Sequence, residues 1–317
     1  MNGADFACPG QARGAAVRAP VADRIAMIDD WIRRRTGADG YLWFRAQVHD
    51  IGQDGGERSL ARAMGWAPRK LGKADLALDS DELAHARALR PGLDPSLWSV
   101  DQAARIAFVL ACFGGDDAGF ARGLDAMADS AEINEAISLY RGFALYPAAG
   151  AIEHRAREAV RSAIRPVFEA IAHRNPYPVE QFDTQAWNQM IVKTFFVDSP
   201  LWPVQGIERR ANPALAAILL DLARERRAAG RPVSPELWRC VAPCAGLEGY
   251  AAMQDVLATG AEPERLAVAL SLAGVEGGDA GRLRAECQRQ GLAERASGLT
   301  WPMLSPWKDR HHATATD

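Results

Sequence analysis

The stretch NPALAAILLDLARERRAAGR at 212–231 decides the fold class. Asn212 followed by Pro213 reads as a helix start. Asparagine can cap free backbone N–H groups, and proline at the first helical position gives up an N–H that has no partner there. Leu215, Ile218, Leu219 and Leu222 then recur at spacings of three and four, so they are predicted to face inward. Asp221 and Glu225 lie one turn apart on one edge, in reach of Arg224, Arg226 and Arg227, and Arg226 projects near the apolar stripe. Gly230 supplies the stop.

The same period extends in both directions. Ile25, Ile28 and Ile32 place a helix over Val21–Arg35, with Gly37 and Gly40 expected to end it. A helix over Tyr41–Ile51 follows, then a less regular stretch from Gly52 to Lys73 with Gly55-Gly56 and Pro68 as breakers. Asp79–Leu89 is a short helix. Ser99 and Gln102 form a capping box for the next, which Gly114-Gly115 closes. Further helices are expected over Ala131–Leu145 and Ile152–Arg174, the second kinked at Pro166. Three short helices follow at Gly249–Thr259, Glu262–Ala273 and Asp279–Gln290. No run of alternating β-branched residues supports a sheet. The expected fold is all-α, a HEAT-like α-solenoid or an irregular helical bundle. Its expected segments are a loose N-terminus at 1–19, an N-terminal helical region at 20–150, a central helical core at 151–245, C-terminal HEAT-like helices at 246–305 and a loose tail at 306–317.

Composition excludes several classes. The 317 residues are 48% hydrophobic and 24% charged, with a net charge of −3, so no overall field draws the chain to nucleic acid. No stretch approaches the roughly 18 apolar residues of a membrane span, and the first residues lack the apolar run of a secretory signal, so a cytoplasmic location is expected. The five cysteines (Cys8, Cys112, Cys240, Cys244 and Cys287) are scattered, which argues against a disulfide framework. Cys240 and Cys244 lack a second ligand pair at zinc spacing, and His311-His312 falls in the tail, so no metal is expected. Asp29-Asp30 and Asp116-Asp117 lack the further carboxylates a diphosphate–magnesium site needs. No phosphate loop, dinucleotide fingerprint, zinc helix or nucleophile elbow occurs, and no cofactor is expected.

The central segment carries the candidate chemistry. Asn175-Pro-Tyr-Pro178 is expected to be an extended elbow holding Tyr177. Asp183 is a predicted N-cap, with Phe182 and Trp187 placed for a hydrophobic staple. On the helix that follows, Trp187, Met190, Ile191, Thr194 and Phe195 share one face. Asn188 falls inside that apolar arc, whereas Gln189 and Lys193 fall outside it. An asparagine there must find hydrogen-bond partners, in a neighbouring loop or in a ligand. The tryptophans, among them Trp98, Trp187, Trp202 and Trp238, read as core.

NPYP at 175–178, FDTQAWNQMIVK at 182–193, GIERRANPALAAILLDLARERRAAGR at 206–231 and SPELWR at 234–239 resemble the EboA family, and the likeness persists back to WSVDQAARI at 98–106. The resemblance implies a bacterial protein of secondary-metabolite gene clusters, concerned with metabolite traffic. It further implies cluster enzymes as companions: a TatD-like hydrolase, a prenyltransferase, a dehydroquinate-synthase-like and a sugar-isomerase-like protein. It carries no agreed catalytic residues. Pro166 and Arg227, where a non-proline and an aromatic residue fit the pattern, are departures.

Two functions are open at this stage. One is a carrier that binds or moves a small metabolite or precursor and scaffolds pathway enzymes, using the concave surface a helical array offers. Its ligand-binding candidates are Asn175, Tyr177, Trp187, Asn188, Arg209, Arg210 and Arg226. The other is a natural-product biosynthetic enzyme with an unfamiliar, metal-independent site in the central core. Its catalytic candidates are His173, Tyr177, Asp183, Asn188, Lys193 and Asp221, with acid–base work for histidine and tyrosine and oxygen polarisation for asparagine and the arginines. Either way the side chains of a site should line one pocket of several hundred Å³.

Overall fold

The computed structural model describes residues 19–54 and 57–306; Cys8, Gly55-Gly56 and His311-His312 lie outside the described residues. Among the described residues the chain is all-α, with eighteen α-helices, two 3-10 turns and no strand. Of the described residues, those up to Ala186 pack as one compact unit and those from Trp187 onward as another.

The first unit holds α1 (Val21–Arg35), α2 (Ala38–Asp54), α3 (Glu57–Leu71), α4 (Ser80–Leu89), α5 (Val100–Ala111), α6 (Asp117–Ser130), α7 (Ile133–Arg141), α8 (Glu153–Arg161), α9 (Arg165–Ala172) and α10 (Tyr177–Gln181). Its core is α5, buried from Val100 to Leu110 and packed by α1, α2, α3 and α7. A helix that is apolar nearly all round belongs in a core. The charges it carries are satisfied there: Arg105 donates to Asp101 at 2.9 Å and to the Met64 carbonyl at 3.0 Å.

Helix α11 (Thr184–Phe196) is followed by α12 (Pro213–Ala228), α13 (Leu237–Val241), α14 (Gly246–Thr259), α15 (Glu262–Leu272), α16 (Gly278–Arg289), α17 (Leu292–Ser297) and α18 (Trp301–Leu304). In the second unit α15 is central, with Ala267, Val268 and Leu272 fully buried, and α13, α14, α16, α17 and α18 pack around it.

Several local expectations meet the structure directly. α1 spans Val21–Arg35 as read. Asp79 caps α4 in a full capping box with Glu82. Gln102 reaches back to the Ser99 N–H at 3.2 Å, while the Ser99 hydroxyl donates to Asp101. Gly230, at φ +64, takes the left-handed turn after α12.

Other expectations are corrected. Gly40 does not end a helix but sits in the first turn of α2, where an added Cβ would lie 3.2 Å from the Lys70 carbonyl, so it permits a close helix approach. The irregular stretch from Gly52 to Lys73 contains α3, with Pro68 inside it near its end. α6 went unread because Gly119 and Gly123 lower its helix propensity. The Asp116 side chain offsets this by accepting from the Ala118 and Gly119 N–H groups, and Phe120, Ala121 and Leu124 are buried. The long helix expected over Ile152–Arg174 is two: the chain leaves α8 at Ser162 and re-enters at Arg165. Pro166 therefore opens α9 instead of kinking a helix, since a first-turn proline loses no bond and meets no carbonyl. Nor is Asn175–Pro178 extended. The Asn175 carboxamide accepts the Tyr177 N–H at 3.0 Å, Pro176 turns helical at φ −73 and ψ −12, and α10 begins. On α12, Leu215, Leu219 and Leu222 are buried, but Ile218 is exposed at 44%. Ala216, Leu220 and Ala223 are buried instead, so the inward face is turned away from Ile218.

Candidate ligand-binding site

The residues singled out from the sequence fall into three groups. The first supports the α9–α10 turn. Asn175 is buried and donates to the Tyr140 carbonyl at 3.1 Å. The Tyr177 ring is fully buried, edge-on to Phe143 at 5.1 Å, and its hydroxyl donates to the Ala149 carbonyl. His173 ends α9 with its N–H on the Glu169 carbonyl. Asp183 accepts the Ala186 N–H at 2.8 Å, as an N-cap does, and pairs with Arg157. That amide first, and then the Arg157 guanidinium, hold its carboxyl below the usual range.

The second group meets. The apolar face of α11 is buried as read, with Trp187, Met190, Ile191, Thr194 and Phe195 at 1% exposure or less. Asn188, inside that arc, forms a reciprocal amide pair with Asn212: each side-chain NH₂ donates to the other's oxygen, at 3.1 and 2.9 Å. The same Asn212 oxygen accepts the Leu215 N–H at 2.9 Å, so one side chain caps α12 and satisfies Asn188. The Arg210 guanidinium lies over the Trp187 ring, 5.0 Å from its centroid.

The third group is dispersed. Arg226 donates to the Phe195 carbonyl at 2.7 Å, closing the C-terminal end of α11. Lys193 is half-buried, and burial lowers its ammonium pKa. Asp221 is exposed and paired with Arg224, and Arg209 is exposed. Glu225 pairs with Arg231 instead of its nearer arginines. Arg227 pairs with Glu264 and lies over the Trp238 ring, whose indole N–H also donates to Glu264 at 3.1 Å. A guanidinium on an indole face thus fills the place where an aromatic fits the pattern.

A cavity of about 610 Å³ opens within the second unit. None of the residues above lines it. Their sequence neighbours do: Glu208 beside Arg209-Arg210, Pro213 beside Asn212, and Arg239 at the end of SPELWR. Tyr250, Leu270 and Trp301 complete its apolar wall. Arg239 donates to both Glu208 oxygens, at 2.5 and 3.1 Å, and its guanidinium lies over the Trp301 ring at 5.6 Å. Partial burial works to raise the Glu208 carboxyl, but Arg239 outweighs it and holds the group below the ordinary glutamate range. Sequence reading passed over Glu208 because one acid among exposed arginines has no distinguishing period. Tyr250 and Trp301 lie far along the chain, where nothing marks them as wall.

Glu236 is the other functional group the sequence concealed. It reads as an ordinary first-turn acid, yet it is fully buried. One carboxyl oxygen accepts the Leu201 N–H at 3.1 Å and the Ser305 hydroxyl at 2.8 Å. Burial pushes its pKa up, against the opposing pull of those donors, the Trp202 amide and Arg239. A carboxyl raised on folding adds stability below its unfolded value and loses it as pH rises through the folded one. Glu236→Gln keeps an accepting oxygen without the charge. It is expected to be more stable than the parent at neutral pH, with a stability profile that falls less as pH rises above the ordinary glutamate range. Thermal unfolding over that rise checks both; parallel profiles would refute the burial account.

The described cysteines are not gathered into a site. Cys112, Cys240 and Cys287 are free thiols, and burial pushes Cys240 far up, away from the reactive thiolate. Cys244 is in a disulfide, which the scattered spacing had not suggested. Among the described residues no helix is long and apolar enough to cross a membrane.

No curated protein and no solved structure matches the chain. One protein family does, over residues 24–242, a span that takes in both amide partners, Glu208, Glu236 and Arg239 and stops short of the Tyr250, Leu270 and Trp301 wall. The chain belongs to the EboA family, described as metabolite traffic protein EboA.

Proposed function

We propose that the protein binds a small metabolite or precursor in the cavity lined by Arg239, Tyr250, Leu270 and Trp301 and carries it between enzymes of a bacterial secondary-metabolite pathway, which it also scaffolds. The observation that supports this reading is the cavity itself. Its roughly 610 Å³ falls within the size range of small-molecule sites, and it pairs apolar walls with one fixed polar element, the Glu208–Arg239 fork. A metabolite-handling role fits the family description.

Filling the space tests it. Leu270 is half-buried in the wall, and Leu270→Trp places an indole where a ligand would sit. The parent chain is expected to bind the neutral fluorescent probe N-phenyl-1-naphthylamine, and Leu270→Trp to bind it at least about tenfold more weakly with helix content unchanged. A parent that binds no probe, or a folded variant that binds it equally well, would end the proposal.

A further inference from the structure

The charges around this cavity discriminate between ligands. Among its described lining residues Arg239 is the one cation, and its reachable donors are taken: Nε and Nη2 both donate to Glu208, Nη1 is buried away from solvent, and the guanidinium lies over the Trp301 ring. A guanidinium so paired is offset by its carboxylate and offers an incoming anion little. What remains is Glu276, an exposed lining residue that forms no ion pair with another described residue. The described lining therefore carries two carboxylates against one guanidinium.

Helix ends do not reverse this balance. α12 and α14 start at the wall, at Pro213 and Gly246. Pro213 has no N–H, and the Leu215 N–H is taken by the Asn212 side chain. The C-terminal end of α15 also meets the cavity, with Ser271 in its last turn and Gly274 just beyond it. These are partial charges of both signs, each fading within a turn. The aromatic wall adds to the preference, since the π faces of tyrosine and tryptophan attract cations. Tyr250 lines the space without such a partner, whereas the Trp301 ring already carries the Arg239 guanidinium.

We infer that the ligand is an apolar molecule bearing a basic nitrogen, a protonated amine or quaternary ammonium, whose cationic end is held by Glu276 and Tyr250. This rests on the reading of the cavity as the binding site, and the test separates the two. Three probes share one naphthalene body and differ in the head: 2-naphthylmethyl-trimethylammonium, 2-naphthylmethanol and 2-naphthylacetate. Isothermal titration into the full chain is expected to rank ammonium over alcohol over carboxylate, with about tenfold between the extremes. Glu276→Gln removes an exposed carboxylate without touching the core, and is expected to shrink that gap to about threefold. Glu208→Gln releases the Arg239 fork and is expected to raise the affinity for 2-naphthylacetate several-fold; the fold is checked by its unfolding transition. A carboxylate that binds the parent as tightly as the ammonium would overturn the ligand class while leaving the cavity as a site. If none of the three binds, the cavity reading falls and takes this inference with it.

Discussion

Glu180→Ala is expected to destabilise the chain by about 3–5 kcal/mol, the cost of stranding a buried cation. The cation is Arg90, at the end of α4 and 1% exposed. Its guanidinium donates to both Glu180 oxygens, at 2.8 and 2.7 Å, to the Ala144 carbonyl at 2.8 Å and to the Pro91 carbonyl at 3.1 Å. Removing the carboxylate leaves the buried charge with two neutral acceptors, the Ala144 and Pro91 carbonyls. Glu180→Gln keeps an acceptor but not the charge, so its cost should be intermediate. The double replacement Arg90→Met with Glu180→Leu removes both charges and should recover most of the loss, because a buried ion pair is often no more stable than apolar side chains of similar volume. Urea unfolding of the parent, both single variants and the double variant measures the coupling. A Glu180→Ala cost below about 1 kcal/mol would mean that the pair behaves as a surface salt bridge.

Asn212→Ala is expected to cost about 2–4 kcal/mol, as two losses fall on one side chain. The first is the cap of α12: the Leu215 N–H loses its acceptor, a deficit of about 1 kcal/mol. The second is the amide pair: Asn188, 7% exposed, is left with an unsatisfied carboxamide, worth about 1–3 kcal/mol. Asn188→Ala should cost less, because Asn212 keeps its cap and its bond to the Arg210 carbonyl at 3.1 Å. Adding Asn188→Ala to Asn212→Ala should add little, since the stranded amide is then gone. Denaturant unfolding of the three variants tests the order. Equal single costs, or strict additivity, would show that the two amides act separately.

Much of the helical skeleton was legible because helix starts and stops are short-range events. Asp79, Asp183 and Asn212 each accept an N–H two or three residues on. The α11 stripe is set by a period of 3.6. Reading failed where one signal had two outcomes. Pro166 can kink a helix or open one, and Asn175-Pro176 can extend the chain or start a turn. The choice rests on whether a neighbour, here the Tyr140 carbonyl for Asn175, rewards the turn.

By itself the sequence determined the all-α class, most helix boundaries, the buried face of α11 and the need of Asn188 for a partner. Only the tertiary structure decided which polar groups meet. Asn188 finds Asn212 across 24 residues, Glu208 finds Arg239 across 31, Glu236 finds Ser305 across 69 and Arg90 finds Glu180 across 90. The reason is range. A cap or an apolar stripe is settled within a few residues of chain, whereas a pairing between helices depends on which faces pack. That packing follows from apolar burial, which is non-directional and leaves no local mark on the polar residues it brings together.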